Sequence, residues 1–245
     1  MADLSWLTAQ PVAHRGLHDL NKACWENTLS AFARAADRGY AIECDVHLTS
    51  DGVPVVFHDH DLKRLAGEDG FVWQRTVAEM AALRIGGTAD HAPTLDELLA
   101  LVNGRVPLVI ELKGTPGRDE GLVAAVAERL RRYDGKAAIM SFDHWLIRQF
   151  PSLAPGIPGG LTAYGTSNRD IEAHFAMLAY DITFVSYAAG DLPNRFIGFV
   201  REKLAMPVIT WTVRDQPAVD LTFRYADQMT FEGFEPDLAR PAAIA

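Results

Sequence analysis

Cysteine, basic charge and long apolar runs are all scarce in this 245-residue chain, and each scarcity removes a class of protein. The two cysteines, Cys24 and Cys44, are too few for a disulfide framework and stand in no Cys-x-x-Cys or Cys/His spacing that would hold zinc. A reducing cytoplasm is therefore the expected compartment. Lys and Arg number 23 against 32 Asp and Glu, a formal net charge of −9. Such a field repels nucleic acid and anionic lipid surfaces, both of which demand clustered cations. No apolar run approaches the ~20 residues of a membrane span, and the segment from Met1 to Trp6 has neither the basic nor the apolar region of a signal peptide. Secretion and stable membrane insertion are not expected. A small, mobile ligand is the favoured partner, and an anionic one would need local cations or a bound metal to overcome the global field.

What is present is an ordinary globular composition, 49% hydrophobic and 22% charged, which argues against disorder or a fibrous repeat. We read residues 1–245 as one domain, because no linker or composition shift divides the chain. Short β-branched runs alternate with helix-period segments. The predicted strands are Val12 to His14, Ala41 to His47, Val106 to Leu112, Ala137 to Phe142, Gly159 to Ala163, Ile182 to Tyr187, Pro207 to Val213 and Ala226 to Phe231. Between them lie predicted helices such as Thr28 to Asp37, Leu95 to Val102, Glu120 to Arg132 and Phe196 to Leu204. Repeated alternation of this kind implies a parallel sheet with helical crossovers, and eight strands fit an α/β TIM (β/α)8 barrel.

A ninth run, Val53 to Phe57, follows the second strand too closely for a parallel crossover, and Asp51-Gly52 is strong hairpin-turn chemistry. It is expected as a short rim hairpin. The stretch from Leu62 to Pro93 is expected as an insertion over the barrel mouth with one modest helix, Val77 to Leu83.

The chemistry gathers at the predicted C-terminal ends of strands, where barrel enzymes build their sites. Alternation along Ala41 to His47 sends Glu43, Asp45 and His47 to one face and Ile42, Cys44 and Val46 to the other. The apolar set should face the helices, which leaves two carboxylates ~7 Å apart on the inner face. Glu111 and Lys113 share a face at the end of the third barrel strand. Three hard oxygen donors without sulfur suit one divalent cation, Mg²⁺ or Ca²⁺, and Lys113 adds an anion contact beside it. His14, Arg15 and Gly16 end the first strand, and Phe57, His58 and Asp59 end the hairpin. Two imidazoles can divide base and acid roles at neutral pH, while Arg15 can pair with phosphate oxygens. Each motif alone is weak: a Glu-x-Asp on a strand is most often a solvated face. Their convergence on one mouth gives them weight.

In order along the chain, His14-Arg15-Gly16, Glu26-Asn27-Thr28, Glu43-Cys44-Asp45-Val46, Asp51-Gly52 with His58-Asp59, and Glu111-Leu112-Lys113 resemble the glycerophosphodiester phosphodiesterase family. Pro93-Thr94-Leu95 with Glu97, Ser141-Phe142-Asp143 and Trp211-Thr212-Val213 extend the resemblance over nearly the whole chain. The resemblance implies hydrolysis of a glycerophosphodiester to glycerol 3-phosphate and an alcohol. It further implies His14 and His58 as the general acid/base pair, Glu43, Asp45 and Glu111 as metal ligands, and Arg15 and Lys113 as phosphate contacts. Trp211 would offer an apolar wall to the glycerol carbons, against a simple packing role. Asn27 is either the cap of the following helix or a contact to metal or phosphate. The chain departs from the family after the last strand, where Thr230-Phe231-Glu232-Gly233-Phe234 stands in place of Thr-Asp-x-Pro; this bears on substrate preference, and Glu232 is assigned no role. His18, His47 and His60 are expected to be structural, and His91, His144 and His174 carry no chemical cue. Two rivals are a lipid-cleaving barrel resembling sphingomyelinase D and a silent barrel that only binds phosphate or metal.

Overall fold

The computed structural model of the protein describes residues 3–239. Strands β1 (Val12–Ala13), β2 (Ala41–Leu48), β3 (Pro54–Val56), β4 (Leu108–Leu112), β5 (Ala137–Ser141), β6 (Gly159–Ala163), β7 (Phe184–Ala188), β8 (Val208–Val213) and β9 (Gln228–Phe231) form a single sheet. All but β3 run parallel, in the order β1-β9-β8-β7-β6-β5-β4-β2. Val12 closes the circle, pairing with Ala41 of β2 on one side and Thr230 of β9 on the other. The result is a closed (β/α)8 barrel. β3 folds back antiparallel on β2, with Val46 opposite Val56, as the Asp51-Gly52 turn demands. Every predicted strand is present, with ends displaced by a few residues, the range within which helix and strand limits are ambiguous.

Helices α1 (Leu29–Asp37), α2 (Lys63–Ala66), α3 (Val77–Ala82), α4 (Leu95–Val102), α5 (Leu122–Leu130), α6 (His144–Ile147), α7 (Phe150–Leu153), α8 (Asn168–Met177), α9 (Arg195–Glu202) and α10 (Gln216–Tyr225) cover the outside and the rim. Their starts follow local chemistry. Thr28 Oγ1 accepts from the Ala31 amide at 3.3 Å to open α1. At α4, Thr94 and Glu97 form a reciprocal capping box, and the left-handed Asn103 ends the helix. Losing one such cap costs about 1 kcal/mol.

The two faces of the strands carry different cores. Ile42, Cys44, Val46, Leu108 and Ile110 point outward and pack with Phe32, Leu98 and Val126 of the helices. Val12, Ala41, Val109, Ala138, Met140, Phe184 and Ile209 fill the barrel's lower interior, and Leu7 is buried with them as a plug. The inward carboxylates stand above this apolar layer, while Gln228 at the lower end donates to the Thr8 carbonyl at 3.2 Å.

The insertion from Leu62 to Pro93 holds more structure than the one expected helix. It contains α2, α3 and single 3₁₀ turns at Val72–Gln74 and Ile85–Gly87. These pieces are too short to present a helical period, and they cohere through a separate cluster of Val55, Phe57, Leu62, Leu65, Val72, Met80, Ile85 and Ala92. Gly86, at φ +59, lies so close to Trp25 that a Cβ would sit 1.9 Å from the indole. Only glycine fits that contact.

On α8, His174 is buried edge-on against Tyr187 and beside Phe196. Burial, and then the charge of His144, pushes its imidazole down to about 4. An unfolded chain takes up that proton at its ordinary value, near 6.5, so the contribution is intact above pH 6.5 and is lost as pH falls toward 4. Melting curves between pH 7.5 and 5 should show the midpoint falling, and His174→Phe should flatten part of that fall, by roughly 2–6 °C. An identical pH slope in both proteins would contradict this assignment.

Candidate active site

The parallel register of β2 and β4 sets Asp45 directly opposite Glu111, and Glu43 lies one inward position below Asp45. Oxygen atoms of all three carboxylates come within 4.8 Å of one another, in a setting where each side chain is buried. Burial first, and then the charges of Asp45 and Glu111, push Glu43 well above the usual carboxylate range. Glu111 is raised by burial and by Asp45, against the pull of Lys113. Burial would raise Asp45 as well, but Lys113, His58 and Arg15 outweigh it and hold this carboxyl low.

The cations and amides around the three acids answer that crowding. Lys113 Nζ pairs with Asp45 Oδ1 at 2.8 Å and with Glu111. The Arg15 amide donates to Glu43 Oε2 at 2.9 Å, and Arg15 Nε lies 3.3 Å from Asp45 Oδ2. Arg15 itself, at φ 56, sits in a tight turn that Gly16 makes possible, since a Cβ on Gly16 would meet Ala31 at 2.9 Å. Asn27, also left-handed, donates from Nδ2 to Asp45 Oδ2 at 2.8 Å. It is not the cap of α1, a place taken by Thr28; the helix begins one residue too late for Asn27 to serve.

Two histidines flank the acids in similar settings. His14 Nδ1 lies 2.6 Å from Glu232 Oε2, and its Nε2 is 4.0 Å from Glu43. His58 Nδ1 lies 2.7 Å from Asp59 Oδ1. Each supporting carboxylate meets an arginine: Arg214 approaches Glu232 at 3.3 Å, and Arg64 Nε donates to Asp59 at 2.7 Å. Burial lowers both imidazoles despite these carboxylates, so each ring is neutral at pH 7 and gives its one N–H to the acid. Burial acts to raise Glu232, but the His14 hydrogen bond and Arg214 hold it at about 2. The sequence gives Glu232 no role because its partner is 218 positions away and it follows β9 without a motif.

Glu26, part of the Glu26-Asn27-Thr28 motif, is a second residue to which the sequence assigns no role. Its carboxylate takes Arg15 Nη1 at 2.6 Å and two bonds from Arg64, at 2.8 and 2.9 Å. Burial opposes its ionisation, yet Arg64 and Arg15 keep it ionised far down the pH scale. Arg64, from α2 of the insertion, thus fastens both Glu26 and Asp59. His47 is inward as expected but turns its Nε2 to the His58 carbonyl at 3.1 Å, a structural contact.

All eight residues predicted to carry the chemistry, His14, Arg15, Glu43, Asp45, His58, Glu111, Lys113 and Trp211, line one cleft of about 250 Å³ at the barrel mouth. Its opposite wall is aromatic: Trp211 meets Phe142 at 5.1 Å and Tyr164 at 6.4 Å, both edge to face. A crowded, buried, all-oxygen donor set fits a hard divalent cation, which would relieve the repulsion that raises Glu43.

Fold and site together define a barrel hydrolase class with an acidic centre and two carboxylate-held histidines. The chain belongs to the glycerophosphoryl diester phosphodiesterase family, whose model matches residues 14–237. A glycerophosphodiester phosphodiesterase of Caldanaerobacter subterraneus subsp. tengcongensis is 36% identical over 162 residues, 61% of this chain and 65% of that protein. Among solved structures, an Oleispira antarctica phosphodiesterase in complex with the product sn-glycerol-3-phosphate is 26% identical, with a TM-score of 0.78 over 91% of this chain and 93% of its own. A Thermotoga maritima glycerophosphodiester phosphodiesterase is 27% identical, with a TM-score of 0.72 over 91% of this chain and 95% of its own.

If the three carboxylates take a cation, Mg²⁺ or Ca²⁺ at a hundredfold excess over its Kd should stabilise the fold by about 2.7 kcal/mol, roughly 5–10 °C in Tm. Asp45→Asn should abolish that shift. Equal shifts in both proteins would put the cation elsewhere.

Proposed function

We propose that this chain hydrolyses glycerophosphodiesters to glycerol 3-phosphate and an alcohol, with one divalent cation, Mg²⁺ or Ca²⁺, held by Glu43, Asp45 and Glu111. The observation that carries the reading is the pair of carboxylate-held imidazoles on either side of the acidic centre. When bound, the cation supplies Lewis-acid polarisation and offsets charge on the phosphoryl oxygens.

The protein's own residues do the rest. With Nδ1–H committed to Glu232 or Asp59, each imidazole offers Nε2 as a lone pair of fixed direction. One ring accepts the proton of the attacking oxygen; the other, once protonated, delivers a proton to the departing alcohol oxygen. The supporting carboxylates stabilise the transient imidazolium and hold ring orientation, a preorganisation that costs nothing at the moment of reaction. Arg15 and Lys113, already tied to the acids, meet the non-bridging oxygens of the phosphate. Trp211, with Phe142, gives carbon atoms an apolar wall.

The partner is thus a small phosphodiester. Among the described residues no helix is long and apolar enough to cross a membrane. Both cysteines are unpaired and buried, which supports a reducing, cytoplasmic setting.

Release of glycerol 3-phosphate should be measured from glycerophosphocholine, glycerophosphoethanolamine and glycerophosphoinositol with added Mg²⁺ or Ca²⁺. His14→Ala and His58→Ala should each lower kcat by ~10²–10⁴-fold with the fold kept. A near-normal rate in either variant removes that histidine from proton transfer, and no release by the wild type from any substrate sinks the proposal.

A further inference from the structure

Behind the cleft, one arginine of the insertion grips two carboxylates that serve different members of the site. Arg64 turns Nε and Nη2 to Asp59, at 2.7 and 2.8 Å, and Nη1 and Nη2 to Glu26, at 2.9 and 2.8 Å. One planar guanidinium thus donates four hydrogen bonds and holds both oxygens of each carboxylate. Asp59 also meets His58 Nδ1 at 2.7 Å, and Glu26 takes Arg15 Nη1 at 2.6 Å. Arg15 and His58 line the cleft, whereas Glu26, Asp59 and Arg64 stand behind them.

The grip is saturated and firmly seated. Asn21 Nδ2 takes up the remaining acceptor of Glu26 at 2.5 Å, and Glu26 is 4% exposed, so its carboxylate is left neither a lone pair for a metal nor a path to a substrate proton. Leu62 and Leu65, on either side of Arg64, are buried in the insertion's own core. The arginine behind His14 is held far less: the Arg214 side chain is 58% exposed and meets Glu232 only at 3.3–3.4 Å. A lysine at position 64 would keep the charge, but its ammonium has three donors and no plane, so it could not orient two carboxylates at once.

We infer that Arg64 is a positioning residue for hydrolysis: its planar fork fixes the His58 imidazole and the Arg15 guanidinium relative to one another, so that proton transfer and phosphate binding weaken together when the fork is lost. The inference rests on the roles proposed above for His58 and Arg15. Displacing a reacting group by about 1 Å can cost about 10²-fold in rate even when the groups that touch the substrate are unchanged.

The test measures kcat on the glycerophosphodiester that the wild type turns over fastest, and the calorimetric Kd of glycerol 3-phosphate, both with saturating Mg²⁺ or Ca²⁺. It compares the wild type with Arg64→Ala, Arg64→Lys and Asp59→Asn. Arg64→Ala should lower kcat by about 10–100-fold and weaken glycerol 3-phosphate binding by about tenfold. Asp59→Asn, which loosens only the histidine arm, should lower kcat and leave that binding as in the wild type. Arg64→Lys should melt cooperatively and still show both losses, and it carries the comparison if Arg64→Ala does not fold. Full recovery by the lysine would reduce Arg64 to a counter-charge, and unchanged glycerol 3-phosphate binding in the Arg64 variants would confine it to the histidine arm; either result overturns the inference. Wild-type turnover with near-normal Arg64 variants sinks this inference alone, whereas no turnover by the wild type sinks the hydrolytic reading and the inference with it.

Discussion

Three carboxylates forced together out of water are the constraint around which this barrel mouth is arranged. Strand alternation turns Glu43 and Asp45 inward, barrel closure fixes the register of β2 on β4, and that register sets Glu111 beside Asp45. Burial first, and then the like charges so close at hand, oppose ionisation, which is why Glu43 and Glu111 are raised. The neighbours answer with Lys113, the Arg15 amide and the Asn27 amide. These contacts hold the acids in position without removing the crowding; a divalent cation bound between them would remove it.

Two similar chains, to which the proposed proton transfer is assigned, are built outward from that centre. Each runs from imidazole to carboxylate to arginine, through Glu232 and Arg214 on one side and Asp59 and Arg64 on the other. The second chain explains the insertion after β3, since its small separate core holds α2 where Arg64 reaches both Asp59 and Glu26. Glu26 in turn orients Arg15. The wall across from the acids is aromatic, with Phe142 and Trp211, and Arg214 stands at its edge, held by Glu232.

The parts legible in the amino-acid sequence were those set by local rules. Period-two alternation exposed the inward acids of β2, and turn chemistry at Asp51-Gly52 separated β3 from the barrel strands. Motif order supplied the histidines. What escaped was set by closure of the fold. Glu232 reaches His14 only because β9 lies beside β1, and Arg64 reaches Glu26 only because the insertion folds back over the mouth. Asn27 stands next to a helix start and resembles a cap, but its left-handed backbone turns the side chain to Asp45.

The central claim is that the crowded acids are a cation site, and crystals grown with Ca²⁺, or with Mn²⁺ standing in for Mg²⁺, test it through anomalous diffraction. The account predicts one peak bound by an oxygen from each of Glu43, Asp45 and Glu111, at ~2.0–2.6 Å. A map with no peak there, and Lys113 still bridging Asp45 and Glu111, would contradict it.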